Sequence, residues 1–202
     1  MDRRSAVEAL RAETVKALTP QLTSDQTQVV FGDGDPTSPL MIVGEAPGPQ
    51  EDREGVPFVG RSGQLLNTTL QEIGLERNQV WISNTVKLLP TTRSGASVNT
   101  RAPNAAERKA SRSFFEREIE LIEPRVIICL GGTAAKALIE KNFKITEERG
   151  EWREGPRAIP TLATYHPSYI LRVQGFAPDD GSRLQQEFAS DLRRAALRAG
   201  LV

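Results

Sequence analysis

Apolar positions recur along the chain at two spacings. Leu40-Met41-Ile42-Val43, Val80-Trp81-Ile82-Ser83 and Val126-Ile127-Ile128-Cys129-Leu130 are short, nearly continuous apolar runs, the pattern of strands covered on both faces. Pro160 to Tyr165 reads as a fourth core strand, and Val29-Val30-Phe31 as a short extra one. Helical spacing appears between them. Val7, Leu10, Val15 and Leu18 mark a helical arm that Pro20 ends, and Leu65, Leu66, Leu70 and Ile73 mark a helix from Ser62 that Gly74 closes. Further helices are expected from about Ala105 to Ile122 before Pro124, from Gly131-Gly132-Thr133 to near Lys141, and from about Ser182 to Ala199. Glu147 to Ala158 reads as an exposed hairpin around Arg149-Gly150-Glu151, and Glu45 to Gly60 and Leu88 to Asn104 as long loops.

Strands alternate with helices, which predicts an α/β fold: a three-layer α/β/α sandwich around a central, mainly parallel four-stranded sheet. One domain over 1–202 is expected, with 1–20 as the arm. In such sheets ligands bind beyond the carboxyl ends of the strands, so the segments after Gly44, Ser83, Leu130 and Tyr165 carry the candidate chemistry.

Composition narrows that chemistry. The 202 residues are 38% hydrophobic and 26% charged, an ordinary globular mixture. Cys129 is the only cysteine and His166 the only histidine, which excludes a disulfide framework, a Cys/His zinc site and a four-cysteine iron–sulfur cluster. No apolar run approaches the roughly 18 residues of a membrane span. The first residues show no apolar signal core, so a cytoplasmic protein is expected. Lys+Arg and Asp+Glu balance at 26 each, and any nucleic-acid contact must be a local patch. The arginines of the last helix, Arg183, Arg193, Arg194 and Arg198, are interrupted by Glu187 and Asp191 and read as a solvated face. Asp33 and Asp35 suit a turn better than a magnesium site.

The Gly/Pro-rich segment Gly44-Glu45-Ala46-Pro47-Gly48 to Pro57-Phe58-Val59-Gly60 permits close backbone approach to a ligand and is held rigid by its prolines. Phe58 either offers a flat face or plugs the core under the loop. Asn84 follows an apolar strand; its amide matches the N3–H and O4 edge of uracil or thymine, or it caps the strand-end turn. His166 stands at a strand end before Pro167, as a site residue or a structural one.

Together Gly44-Glu45-Ala46-Pro47-Gly48 with Pro57-Phe58-Val59-Gly60, Asn84, and His166-Pro167-Ser168 resemble the motif set of the uracil-DNA glycosylase superfamily, closest to its family-4 branch. The resemblance implies that fold and hydrolysis of the N-glycosidic bond of uracil in single- or double-stranded DNA, as in base-excision repair, by a nucleoid-associated monomer. It implies substrate contacts from Gly44, Ala46, Pro47 and Gly48, with Phe58 stacking on the base, Asn84 reading its edge and His166 bonding its O2. Better-known branches have an aspartate where this chain has Ala46, so Glu45 or Glu51 is expected to handle the water, Glu45 being favoured. Ser168, Tyr169, Leu171 and Arg172 are expected on the DNA, with the Tyr169-Ile170-Leu171 segment as a wedge. Family-4 members usually hold an iron–sulfur cluster; here Leu88 and Ser111 stand at two of the cysteine places, so no cofactor or metal is expected. The Leu88 to Pro103 loop has Arg93 and Arg101 but lacks the histidine of a branch that crosslinks to DNA. Two other readings are a catalytically silent DNA-binding module of the same fold, or a glycosylase for another deaminated base such as hypoxanthine or xanthine.

Overall fold

The computed structural model describes residues 2–202. Its centre is four parallel strands, β2 (Leu40–Gly44), β3 (Trp81–Asn84), β6 (Val126–Leu130) and β8 (Pro160–Thr164), in the spatial order β3-β2-β6-β8. Two short antiparallel strands extend its edges: β1 (Asp33–Gly34) beside β3, and β7 (Trp152–Glu154) beside β8. The expected four-stranded core is therefore the middle of a six-stranded sheet.

Helices cover both faces, which is why the strands lack polar alternation. Met41, Val43, Ile127, Cys129 and Ala163 pack against α1 (Arg3–Leu18), α4 (Ala105–Ile122) and α5 (Gly132–Leu138). Leu40, Ile42, Ile82, Ile128 and Leu162 point the other way, against α3 (Arg61–Glu72), α7 (Pro167–Phe176) and α8 (Pro178–Ala199). The period of two thus assigns successive residues of each strand to separate helical layers. Cys129 is a core residue, and burial pushes its thiol pKa upward.

Several local expectations differ from what forms. Val29, Val30 and Phe31 are buried but make no ladder; Val30 N–H donates to Lys87 O, and the edge strand forms only at Asp33–Gly34. The hairpin near residue 150 is displaced: Ile145–Glu148 is a short helix (α6), and the turn lies between β7 and β8, where Arg157 and Ala158 take positive φ. The Glu45 to Gly60 loop holds the short helix α2 (Pro49–Glu54), and the 88–103 loop holds an exposed hairpin of β4 (Thr91–Ser94) and β5 (Ser97–Thr100). Arg93 of that hairpin pairs with Asp25, and Arg101 meets Glu107 through two 2.7 Å bonds. The segment after His166 is the helix α7, separated from α8 by Ala177.

Among the described residues no helix is long and apolar enough to cross a membrane, and no group of His, Cys, Asp or Glu is arranged to hold a metal ion.

Candidate functional site

Gly44 and Asn84 are paired at the carboxyl ends of adjacent parallel strands. The chain order reverses at β2, whose neighbours are β3 and β6, so this end of the sheet is where a ligand is expected to sit. Gly44 is required there by space: a Cβ would lie 2.4 Å from Asn84 Oδ1 and 2.5 Å from Phe58 Cζ. One missing methyl group lets an aromatic ring and a carboxamide reach the same point. The ring of His166, from the end of β8, has its centroid 5.9 Å from that of Phe58, at an interplanar angle of 34°. Three side chains spread over more than a hundred residues of sequence therefore converge.

The loop carrying Phe58 is strained and heavily braced. Phe58 has φ +53°, the left-handed region, and its side chain is only 5% exposed, so it plugs the core as well as facing the site. Arg77 donates to both Pro57 O and Phe58 O, at 2.5 and 3.0 Å. Glu51 braces the same loop from α2. Its Oε2 accepts Gly48 N–H at 3.1 Å, and its Oε1 accepts Val59 N–H at 3.0 Å and Gly60 N–H at 2.9 Å. Both carboxylate oxygens are thus engaged by backbone N–H groups of the loop.

Glu45 is in the opposite condition. Its backbone oxygen accepts from Thr85 Oγ1 and Val86 N, but its Oε1 is buried without a partner in the protein. Burial raises its pKa above the ordinary 4.5, while Thr133 and the charge of Arg108 draw it back. Asn84 is 2% exposed, and its Oδ1 is likewise a buried acceptor without a donor. Buried polar atoms are normally paired, so two orphans at the ends of neighbouring strands mark a place made for a polar ligand.

His166 caps α7. Its Nδ1 accepts Ser168 N–H at 3.1 Å and lies 2.7 Å from Ser168 Oγ. An Nδ1 that accepts from an amide has no proton of its own, so the proton of the neutral ring resides on Nε2. Burial pushes the pKa down to about 4 against the opposing charge of Glu51, so the ring is a neutral donor at physiological pH. Gly131, at φ +91°, allows this close approach, since a Cβ there would lie 3.0 Å from His166 Cβ.

The other expected residues separate by exposure. Pro47 is buried, and Ala46 and Gly48 are half-buried at the entrance to α2, whose N-cap is Gly48. On α7, Ser168, Tyr169 and Arg172 are exposed and Leu171 is half-buried, with the Arg172 guanidinium 5.4 Å from the centre of the Tyr169 ring. Ile170 is fully buried in the core, so it takes no part in a wedge; only Tyr169 and Leu171 face outward. The roles of Arg77 and Gly63 were not legible in sequence. A Cβ on Gly63 would meet Phe58 O at 1.9 Å, a contact between loop and helix that no local motif announces.

The residues that stand at the cluster's cysteine places do not fit an iron–sulfur cluster. Leu88 packs with Leu18 and Val29, and the hydroxyl of buried Ser111 accepts Lys87 N–H at 3.0 Å. Neither supplies a thiolate.

Comparison with known proteins agrees with this geometry. The family model described as "Uracil DNA glycosylase superfamily" matches residues 31–193. The chain is 41% identical to the type-4 uracil-DNA glycosylase of Thermotoga maritima, over 80% of this chain and 81% of that protein. It is 36% identical to the type-4 enzyme of Sulfurisphaera tokodaii, over 91% and 82% of the two chains, and 38% identical to that of Pyrobaculum aerophilum, over 81% and 79%. With its motif loop, its asparagine and its histidine gathered at one end of the sheet, the chain belongs to the uracil-DNA glycosylase superfamily, among relatives of type 4.

Proposed function

We propose that the protein is a uracil-DNA glycosylase that hydrolyses the N-glycosidic bond of uracil in DNA, releasing free uracil and leaving an abasic site. The observation that carries this is the convergence of an unpaired carboxamide acceptor, a neutral Nε2–H donor and an aromatic ring. Asn84 Oδ1 accepts N3–H of uracil and its amide group donates to O4. Cytosine has no N3–H and carries an amino group in place of O4, so it presents the wrong pattern. Phe58 provides the face against which the base lies, and Gly44, Ala46, Pro47 and Gly48 line its approach.

As the bond between C1′ and N1 breaks, its electron pair passes to the base and the sugar becomes cationic. His166 Nε2–H, aimed at O2, stabilises the growing negative charge without giving up its proton. Glu45 stabilises the cation and takes the proton of the water whose oxygen bonds to C1′; an equivalent proton reaches the departing uracil anion from solvent. A base within a duplex must be everted to reach these groups, and α7 supports this with Ser168, Tyr169, Leu171 and Arg172 toward the DNA. We place the protein on cytoplasmic, nucleoid-associated DNA as a monomer, working without an iron–sulfur cluster. Purified protein is then expected to show no absorbance band at about 400 nm.

The defining experiment is identification of the base released from oligonucleotides containing one uracil, hypoxanthine or xanthine. Uracil release supports the proposal. Binding without release favours a silent module, and release of a purine favours a retuned glycosylase.

Three predictions sort the remaining roles. Glu45→Gln is expected to lower single-turnover release by about 10²-fold and to abolish the acidic limb of the pH profile. The sign follows from burial: activity requires the ionised carboxylate, so it falls as pH drops through a value above 4.5. Glu51→Gln presents an amide to backbone N–H groups and is expected to destabilise the fold by about 2 kcal/mol, read as a lower Tm. Leu171→Ala is expected to reduce release from duplex about tenfold and from single strands hardly at all, because only duplex leaves a gap in the stack to fill. Equal losses on the two substrates would exclude a wedge at Leu171.

A further inference from the structure

Behind Asn84 lies a charged pair closed off from solvent. Lys87 and Glu118 are both 0% exposed. Lys87 Nζ stands 2.5 Å from Glu118 Oε2, 2.7 Å from Ser83 Oγ and 2.9 Å from the backbone oxygen of Asn84, so its three protons have three acceptors. The Phe31 and Phe115 rings lie 5.3 and 5.1 Å from the ammonium. Glu118 Oε1 accepts Trp81 Nε1–H at 2.7 Å, and Gly32 must be glycine because a Cβ would sit 2.0 Å from that oxygen. The side-chain network is fully satisfied, whereas Asn84 Oδ1 is not.

A buried ion pair contributes little stability beyond what apolar packing of the same volume supplies. Apolar side chains lack one property of this pair: they donate no hydrogen bond to the carbonyl of the residue that bears the carboxamide. Lys87 is itself anchored, its N–H donating to Ser111 Oγ and its carbonyl accepting Val30 N–H. We propose that the Lys87–Glu118 pair is a positioning device for Asn84, gripping its backbone from inside the fold so that its carboxamide faces the base. This rests on the uracil-reading role given above. Lys87 and Glu118 touch no substrate and act through Asn84.

The deciding variant is Lys87→Met/Glu118→Gln, which removes both charges, keeps an acceptor for Trp81 Nε1–H and strands no buried ion. The intact protein is assayed for uracil release, for inhibition by free uracil and for affinity to DNA carrying a stable abasic-site analogue. The expected result is a folded protein whose kcat/KM falls about tenfold and whose Ki for uracil rises about tenfold, with abasic-DNA affinity within twofold of the parent. Ser111→Ala leaves the pair intact but orphans Lys87 N–H, and it is expected to move the same two constants about threefold. It also decides the matter if the double variant does not fold. Parent-like kinetics in the folded variants would overturn the positioning role, as would a uniform loss of release, uracil affinity and abasic-DNA affinity. Failure of the parent protein itself to release uracil would instead refute the reading of Asn84 on which the proposal stands.

Discussion

His166→Ala releases uracil about 10²- to 10³-fold more slowly than the parent protein, with KM little changed. The loss falls on kcat because O2 gains most of its negative charge as the glycosidic bond breaks, so a donor there matters more in the transition state than in the bound substrate. Substitution also removes the acceptor that caps α7, which by itself costs about 1 kcal/mol of stability. His166→Asn separates the two effects, because a short carboxamide restores a cap for Ser168 N–H. It is expected to recover Tm while remaining as slow as the alanine variant. With the parent imidazole neutral down to about 4, no inflection near the ordinary histidine value belongs to this residue in the pH profile. A His166→Ala protein within threefold of parental kcat would remove imidazole stabilisation from the mechanism.

Asn84→Ala is the second large effect, a fall in kcat/KM of about 10³-fold with no loss of stability. These two outcomes are coupled through one atom. Oδ1 is buried and bonds no other group of the protein, so its removal breaks no contact of the fold. Tm is therefore expected to stay level. When uracil is bound, the same atom accepts N3–H, and its loss leaves the base without its defining contact. Affinity for an abasic analogue, which has no base to read, is expected to be unchanged. A variant that is both inactive and strongly destabilised would point to Asn84 as a structural cap instead.

Much of the architecture was readable because each apolar run had both faces to bury. Leu40 to Val43 and Val126 to Leu130 announce central strands by lacking polar alternation, and Ala105 to Ile122 is bounded by Asn104 and by Pro124. The errors arose where local pattern gave way to long-range contacts. Val29 to Phe31 looks like a strand, yet Val29 is drawn into a cluster with Leu18 and Leu88 while Phe31 joins Trp81 on another face. The segment after His166 is a helix because Pro167 at its first position and the His166 cap nucleate it, and Ile170 and Val173 then bury one side. At the candidate site, the motif residues were legible as types in order. Their supports were not, since Glu51 and Arg77 brace the Phe58 loop through backbone atoms, which carry no sequence signature. Lys87 and Glu118 lie 31 positions apart in no recognisable motif, and only the fold buries them together.

The central claim is that one base is held simultaneously by Phe58, Asn84 and His166, and the solitary histidine makes it directly measurable. In nitrogen-15 NMR of the intact protein, addition of free uracil is expected to shift the Nε2–H signal of His166 while Nδ1 remains unprotonated. Uracil methylated at N3, which has no proton for Asn84 Oδ1, is expected to bind far more weakly and leave that signal in place. An imidazole that ignores uracil, or that responds equally to both compounds, would contradict the account.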